Sequence, residues 1–198
     1  MPKLTPQVRA RKIKLLLFDV DGVLTDGKLY FLPSEQSQDT STQTKTQAHT
    51  SSMIEFKGFH AHDGVGVSLA RVGGLKLGLI TKRASEVVAG RARDLKLEYV
   101  RQGVDNKRAA FIEMAQQAGF KPEEAAFVGD DIVDLPAMRA AGLAVAVKNA
   151  RAEVKAEAHY TTPHSGGEGA LRDAVEFILK AQGNWKRVLA EYIGERSF

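Results

Sequence analysis

The chain is predicted to be an α/β protein: a Rossmann-like parallel sheet with helices on both faces, a small β-hairpin flap after the first strand, and no large cap domain. Two observations carry this. The run Lys14-Leu15-Leu16-Leu17-Phe18 is apolar beyond its first residue and stops abruptly at Asp19-Val20-Asp21-Gly22, as a strand buried on both faces does where it leaves the sheet. Beyond Phe59, short apolar runs alternate with segments of helical spacing, the rhythm of βαβ units and hence of parallel strands.

In chain order, residues 28–32 are expected to form one arm of the hairpin. The stretch 33–52 (PSEQSQDTSTQTKTQAHTSS) holds no large apolar side chain; it cannot bury enough surface to order itself and is expected to be a mobile surface loop. The returning arm is 53–59, so the hairpin spans 28–59. Residues 65–72 read as a helix stopped by Gly73-Gly74, 75–81 as a strand, 85–95 as a helix and 98–101 as a short strand. Ala109, Ile112 and Ala115 lie at helical spacing in 105–118, closed by Gly119. A strand over 125–128, a helix over 135–141, a strand over 143–147 and an amphipathic helix over 168–182 complete the pattern. The tail 184–198 places Trp185, Val188, Leu189 and Ile193 on one helical face. The whole chain, 1–198, reads as one domain.

Composition narrows the class. At 198 residues, 43% hydrophobic and 26% charged, the chain is long enough for one cored globular domain. It has no cysteine, which excludes disulfides, thiolate metal sites and cysteine nucleophiles. No apolar run reaches the length of a membrane span. Only about five apolar residues follow the basic segment 1–14, too few for a secretory signal, so a cytoplasmic location is expected. The net charge of +4 is mild, and its Lys and Arg are not interleaved with aromatics, which argues against a nucleic-acid partner.

Polar residues recur at four strand ends: Asp19 and Asp21; Thr81; Lys107, opening the helix after the short third strand; and Asp130, Asp131 and Asp134 after Gly129. Ligands of open α/β sheets bind beyond the carboxyl ends of the strands. Singly, each has an ordinary reading. Thr81 would cap the next helix, the better reading of that residue alone. Asp130, Asp131 and Asp134 would be first-turn acids that suit the helix dipole, and Lys107 a solvated first-turn lysine that opposes it. Asp19 and Asp21 resist such a reading, because acids beside a buried strand need a cation or a proton. Jointly, these residue types suit phosphoryl transfer through an aspartyl-phosphate: a carboxylate nucleophile, a second acid for proton transfer, a hydroxyl and an ammonium for the phosphoryl oxygens, and oxygen ligands for Mg²⁺.

With DVDGVLTDG, then LIT, Lys107 and GDDIVD in that order, the chain resembles the haloacid dehalogenase superfamily. More closely, it resembles the capless 3-deoxy-D-manno-octulosonate 8-phosphate phosphatase family. The matching runs from Ile13 to Gly183 and includes His62-Asp63-Gly64-Val65-Gly66, Arg101-Gln102-Gly103, Val145-Ala146-Val147 and Gly166-Gly167-Glu168-Gly169-Ala170. The resemblance implies Asp19 as nucleophile and Mg²⁺ ligand. It implies Asp21 as general acid/base that gives its main-chain carbonyl to the metal, and Asp130 as third protein ligand. Asp131 and Asp134 would order the metal's surroundings, while Thr81 and Lys107 would hold the phosphoryl group. It further implies a homotetramer in which the hairpin meets a neighbouring subunit and helps close the site, with Asp63 at the hairpin's end on the substrate side. The Gly166-Gly167 loop and the tail would lie near active sites. Arg83 is a candidate binder of a substrate carboxylate or phosphate, with a surface arginine at a helix start as the alternative. Two departures stand out: Lys82 where the family usually has glycine, expected to point to solvent, and His62 where an arginine is common. A phosphatase for a nine-carbon sialic or deaminoneuraminic acid 9-phosphate is the alternative within the same chemistry. A phospho-receiver switch is the alternative outside it, disfavoured because receivers meet their acidic pair first and lack an acid at the place of Asp21.

Overall fold

The computed structural model describes residues 4–33 and 53–194; most of the polar insertion expected to be mobile lies outside them. The element order is α1 (Pro6–Ala10), β1 (Leu15–Phe18), β2 (Tyr30–Pro33), β3 (Met53–Phe56), α2 (Ala61–Val72), β4 (Lys76–Ile80), α3 (Glu86–Asp94), β5 (Tyr99–Arg101) and α4 (Lys107–Gln117). It continues with β6 (Ala125–Gly129), α5 (Leu135–Ala140), β7 (Leu143–Ala146), α6 (Ala152–Glu157), β8 (Tyr160–Thr161), α7 (Ala170–Ala181) and α8 (Trp185–Ile193).

Six strands form a sheet in the order β5-β4-β1-β6-β7-β8, and every pairing in it is parallel. All four residues of β1 are buried, as a strand with partners on both edges and helices beside it must be. Its register fixes the site. Phe18 lies opposite Leu79 of β4 and Val128 of β6, so the three strands end together and Asp19, Thr81 and Asp130 leave them at neighbouring places. From β1 the chain moves outward through β4 and β5, then returns to the other side of β1 with β6. That reversal between β1 and β6 is the topological switch point at which α/β sheets bind ligands.

Two sets of helices flank the sheet. In one, α7 packs on α2 and α1, and α8 on both α2 and α7; in the other, α4 packs on α5 and α5 on α6. The apolar side of α7 is wholly buried at Leu171, Val175, Ile178 and Leu179, the three- and four-residue spacing of an inward helix face. Phe18, Phe111 and Phe127 are also fully buried, the last two edge-to-face.

The expected elements are present with shifted ends, because ladder pairing and caps, rather than hydrophobicity, set where an element stops. Helix α2 starts four residues earlier than expected, after His60 accepts from the His62 N–H, which shortens the returning hairpin arm to Met53–Phe56. Pro33, assigned from composition to the polar loop, instead ends β2 opposite Met53. Ser85, not Thr81, caps α3, its hydroxyl accepting from Val88 N–H. Three elements were not expected: α1, despite the Thr5 cap and Pro6 that open it, and α6 and β8, six and two residues long. Elements that short carry too little periodicity to be read.

Candidate active site

Asp19 follows β1 directly, and its main chain extends the ladder by donating to Val128 O at 3.0 Å. Its side chain is 6% exposed. One carboxylate oxygen accepts from Val20 N–H at 2.7 Å, and the other lies 2.7 Å from Lys107 Nζ. Lys107, the first residue of α4, is itself buried and also lies 2.6 Å from Asp134 Oδ1. Burial works against its charge, but Asp134 and Asp19 more than offset this and hold the ammonium above the usual lysine range.

Asp134 organises the third acidic position. It is wholly buried, and its second oxygen accepts from the main-chain N–H groups of Asp130 and Asp131 at 3.0 and 3.4 Å. Asp131 is exposed and caps the short turn that follows, accepting from Ile132 N–H. Gly129 and Gly22 make room for this packing. A Cβ on Gly129 would fall 2.5 Å from the Asp134 side chain. Gly22, at φ +88°, would place one 2.1 Å from Asp130 Oδ2.

Carboxylate oxygens of Asp19, Asp130 and Asp134 come within 4.8 Å of one another, with the one ammonium of Lys107 between two of them. Burial, then Asp134, push the Asp19 carboxyl up to about 6. Burial and the charges of Asp134, Asp19 and Asp131 push Asp130 up to about 7. Asp130 Oδ1 is buried with no hydrogen-bond partner. Both oxygens of Asp134 are already committed, whereas Asp130 keeps a free buried oxygen facing an excess of negative charge. An all-oxygen donor set of this kind fits a hard divalent cation such as Mg²⁺, held by Asp19 and Asp130 with Asp134 behind them.

Asp21 faces the other way, toward the hairpin. Its Oδ1 lies 2.5 Å from Lys57 Nζ and its Oδ2 3.7 Å from Arg83 Nε. Glu55 joins both cations, 3.3 Å from Lys57 and 2.9 Å from Arg83, and accepts from the Ser85 hydroxyl at 2.5 Å. Burial alone would raise the Glu55 carboxyl, but Ser85, Lys57 and Arg83 together hold it below its usual range. Arg83 also reaches over the Phe31 ring of β2. Sequence reasoning did not find Lys57 or Glu55. They sit within or just beyond a hairpin strand, where alternation marks a strand and nothing local marks chemistry.

A cavity of about 300 Å³ opens here, lined by Asp19, Asp21, Gly27, Thr81, Lys82, Arg83, Lys107, Asp130, Asp131 and Val133. Lys82 borders it and is exposed to solvent. A wider concavity of about 810 Å³ lies between the α1–β1 connection and the end of α7. Its one acid, Glu124, is paired with Lys14 at 2.7 Å, and it lacks the acid cluster. Asp63 departs from expectation. It sits in the first turn of α2, wholly buried, away from the residues that line the 300 Å³ cavity. Its Oδ1 accepts from Arg172 N–H at 3.1 Å, so it serves the otherwise uncapped start of α7. Burial raises its carboxyl above the usual range despite that bond. The Gly166-Gly167 loop packs directly on the first motif: a Cβ on Gly166 would fall 1.7 Å from Gly22 O.

The fold and this acid-lined site are those of a haloacid dehalogenase-like hydrolase, and the family model of that description matches residues 79–172. The 3-deoxy-D-manno-octulosonate 8-phosphate phosphatase of Escherichia coli K12 is 34% identical over 175 residues, 88% of this chain and 84% of that protein. The crystal structure of the Moraxella catarrhalis phosphatase of the same name, in complex with magnesium, phosphate and a KDO molecule, superposes with a TM-score of 0.81. It is 33% identical, with 94% and 97% of the two chains covered. The Yersinia pestis structure gives 0.78 and 32%, with 91% and 88% covered. The chain belongs to the 3-deoxy-D-manno-octulosonate 8-phosphate phosphatase family.

Proposed function

We propose that the chain is a Mg²⁺-dependent phosphatase that hydrolyses 3-deoxy-D-manno-octulosonate 8-phosphate to the free sugar acid and inorganic phosphate. The observation that carries this is the free, buried oxygen of Asp130 beside an Asp19 already gripped by Lys107, in a chain of this family. Asp19 attacks phosphorus and becomes the aspartyl-phosphate. Asp21 gives a proton to the leaving sugar oxygen, then takes one from the water that attacks the phosphoenzyme. Thr81 and Lys107 hold phosphoryl oxygens, and Lys107 also keeps the nucleophile ionised. Bound through Asp19, Asp130 and the Asp21 main-chain carbonyl, Mg²⁺ would supply charge neutralisation between nucleophile and phosphate. Asp131 and Asp134 orient these groups. Arg83, already tied to Glu55, serves the rim of the substrate pocket rather than the phosphoryl group.

The chain acts as one catalytic unit, with the hairpin as flap and α8 packed on α2 and α7. It works as a homotetramer in the cytoplasm. Supporting this, β2 and β3 expose Phe31, Leu32, Met53, Ile54 and Phe56, and among the described residues no helix is long and apolar enough to cross a membrane. The test is phosphate release with Mg²⁺ across phosphorylated sugars, including eight- and nine-carbon keto acids. Strong preference for the eight-carbon acid is expected. Preference for a nine-carbon acid would change the substrate, and release from none would overturn the enzymatic reading.

A further inference from the structure

The hairpin reaches the site through charged side chains of its returning arm. Lys57 lies just beyond β3, yet its side chain is 1% exposed. Taking an ammonium this far out of water is costly unless acids answer its charge. The answer comes from two acids, Asp21 at 2.5 Å and Glu55 at 3.3 Å. Glu55 is fixed in turn from two sides, by the Ser85 hydroxyl that caps α3 and by Arg83, whose Nε lies 3.7 Å from the second oxygen of Asp21. Both oxygens of Asp21 thus face cations, and one carboxylate on β3 holds both cations in place. Among the described residues the Asp21 side chain makes no other hydrogen bond or ion pair, so its direction is set by Lys57 of the hairpin and by Arg83 rather than from its own strand end. A proton-transfer group must sit within hydrogen-bond reach of its target, and a displacement of about 1 Å can cost about 100-fold in rate.

From this geometry we infer that Lys57 and Glu55 are positioning residues: they aim the Asp21 carboxylate at the leaving oxygen and the attacking water, which makes the hairpin a working part of the acid/base apparatus. This rests on the reading of Asp21 given above.

The experiment measures kcat and KM with Mg²⁺ for the full chain and its Lys57→Met, Lys57→Arg and Glu55→Gln variants, on a sugar phosphate and on p-nitrophenyl phosphate. Thermal unfolding of each variant is followed in parallel. We expect Lys57→Met to lose about 100-fold in kcat on the sugar phosphate with KM within about twofold. The loss should be smaller on p-nitrophenyl phosphate, whose leaving group needs no proton. Lys57→Arg should recover part of the rate, and Glu55→Gln should show the same kcat-selective loss. If Lys57→Met does not fold, Lys57→Arg and Glu55→Gln carry the test, with an undiminished kcat in Glu55→Gln counting against the inference. An unchanged kcat in folded Lys57→Met, or a loss carried by KM alone, overturns it; the latter would make Lys57 a substrate contact. If the unsubstituted chain hydrolyses neither ester, the phosphatase reading fails instead.

Discussion

At the scale of single residues, the site is built from charges that do not balance. Three carboxylates share one lysine, and the shortfall appears as raised pKa values at Asp19 and Asp130, to about 6 and about 7 from an ordinary value of 3.8. The sign of the resulting pH dependence follows. Without metal, the folded chain binds these protons more tightly than the unfolded chain, so stability falls as pH rises between about 4 and 7. Asp130→Asn removes one of the charges. Measured as thermal midpoints in a chelating buffer, the unsubstituted chain should lose stability relative to Asp130→Asn from pH 5 to pH 8. At this chain length each kcal/mol appears as about 2–4 °C. Added Mg²⁺ should raise the midpoint of the unsubstituted chain at pH 8 and leave Asp130→Asn nearly unmoved. An absence of any Mg²⁺ effect on either would refute the ligand assignment. Asp19→Asn keeps the shape of the side chain and its bond from Val20 but cannot attack phosphorus. Phosphate release should fall by on the order of 10⁴-fold or more while the fold persists, and appreciable turnover would refute the aspartyl-phosphate.

At the scale of elements, the strand ends work because neighbouring turns come unusually close. Gly22 is a tight point on the catalytic side: it has a left-handed φ, and a Cβ would overlap the Asp130 carboxylate. Gly74 has a similar φ of +78° with nothing within 4 Å of its would-be Cβ. Both Gly→Ala changes should cost about 1–2 kcal/mol from backbone strain. Only Gly22→Ala should also cut phosphate release, because its methyl displaces the Asp130 carboxylate, the proposed metal ligand. Comparing unfolding and turnover of the two variants separates strain from site geometry, and equal activity in both would mean that Asp130 has room to move.

At the scale of the whole molecule, the two-stranded hairpin carries the proposed subunit contact. An isolated two-stranded sheet is marginal in water, and this one presents a run of exposed apolar side chains of the kind that marks an interface. Tyr30 and Phe56 stack at 4.8 Å within it, which stiffens the hairpin but covers little of its outer surface. Replacing Phe31 and Ile54 together by serine should shift the assembly toward the monomer in sedimentation velocity. Phosphate release should fall with it, since the hairpin carries Glu55 and Lys57. A variant that remained fully assembled would place the subunit contact elsewhere.

Much of this was legible in the amino-acid sequence. The apolar run into Asp19 and Asp21, the alternation of strands with helices, and the acids after Gly129 dictate a parallel sheet with carboxylates at its switch point, because burial and periodicity are local properties of a chain. What escaped was contact between distant segments. Lys57 reaches Asp21 across 36 positions, and Asp63 caps the start of α7 by accepting from the Arg172 N–H across 109, and no local pattern encodes either meeting. Thr81 read alone looked like a cap, yet the hydroxyl of Ser85 took that role and left Thr81 on the cavity wall. The sequence alone thus determined which acids, hydroxyl and lysine emerge at which strand ends. Only the tertiary structure decided which way each carboxylate points, because direction depends on charges brought from elsewhere in the chain.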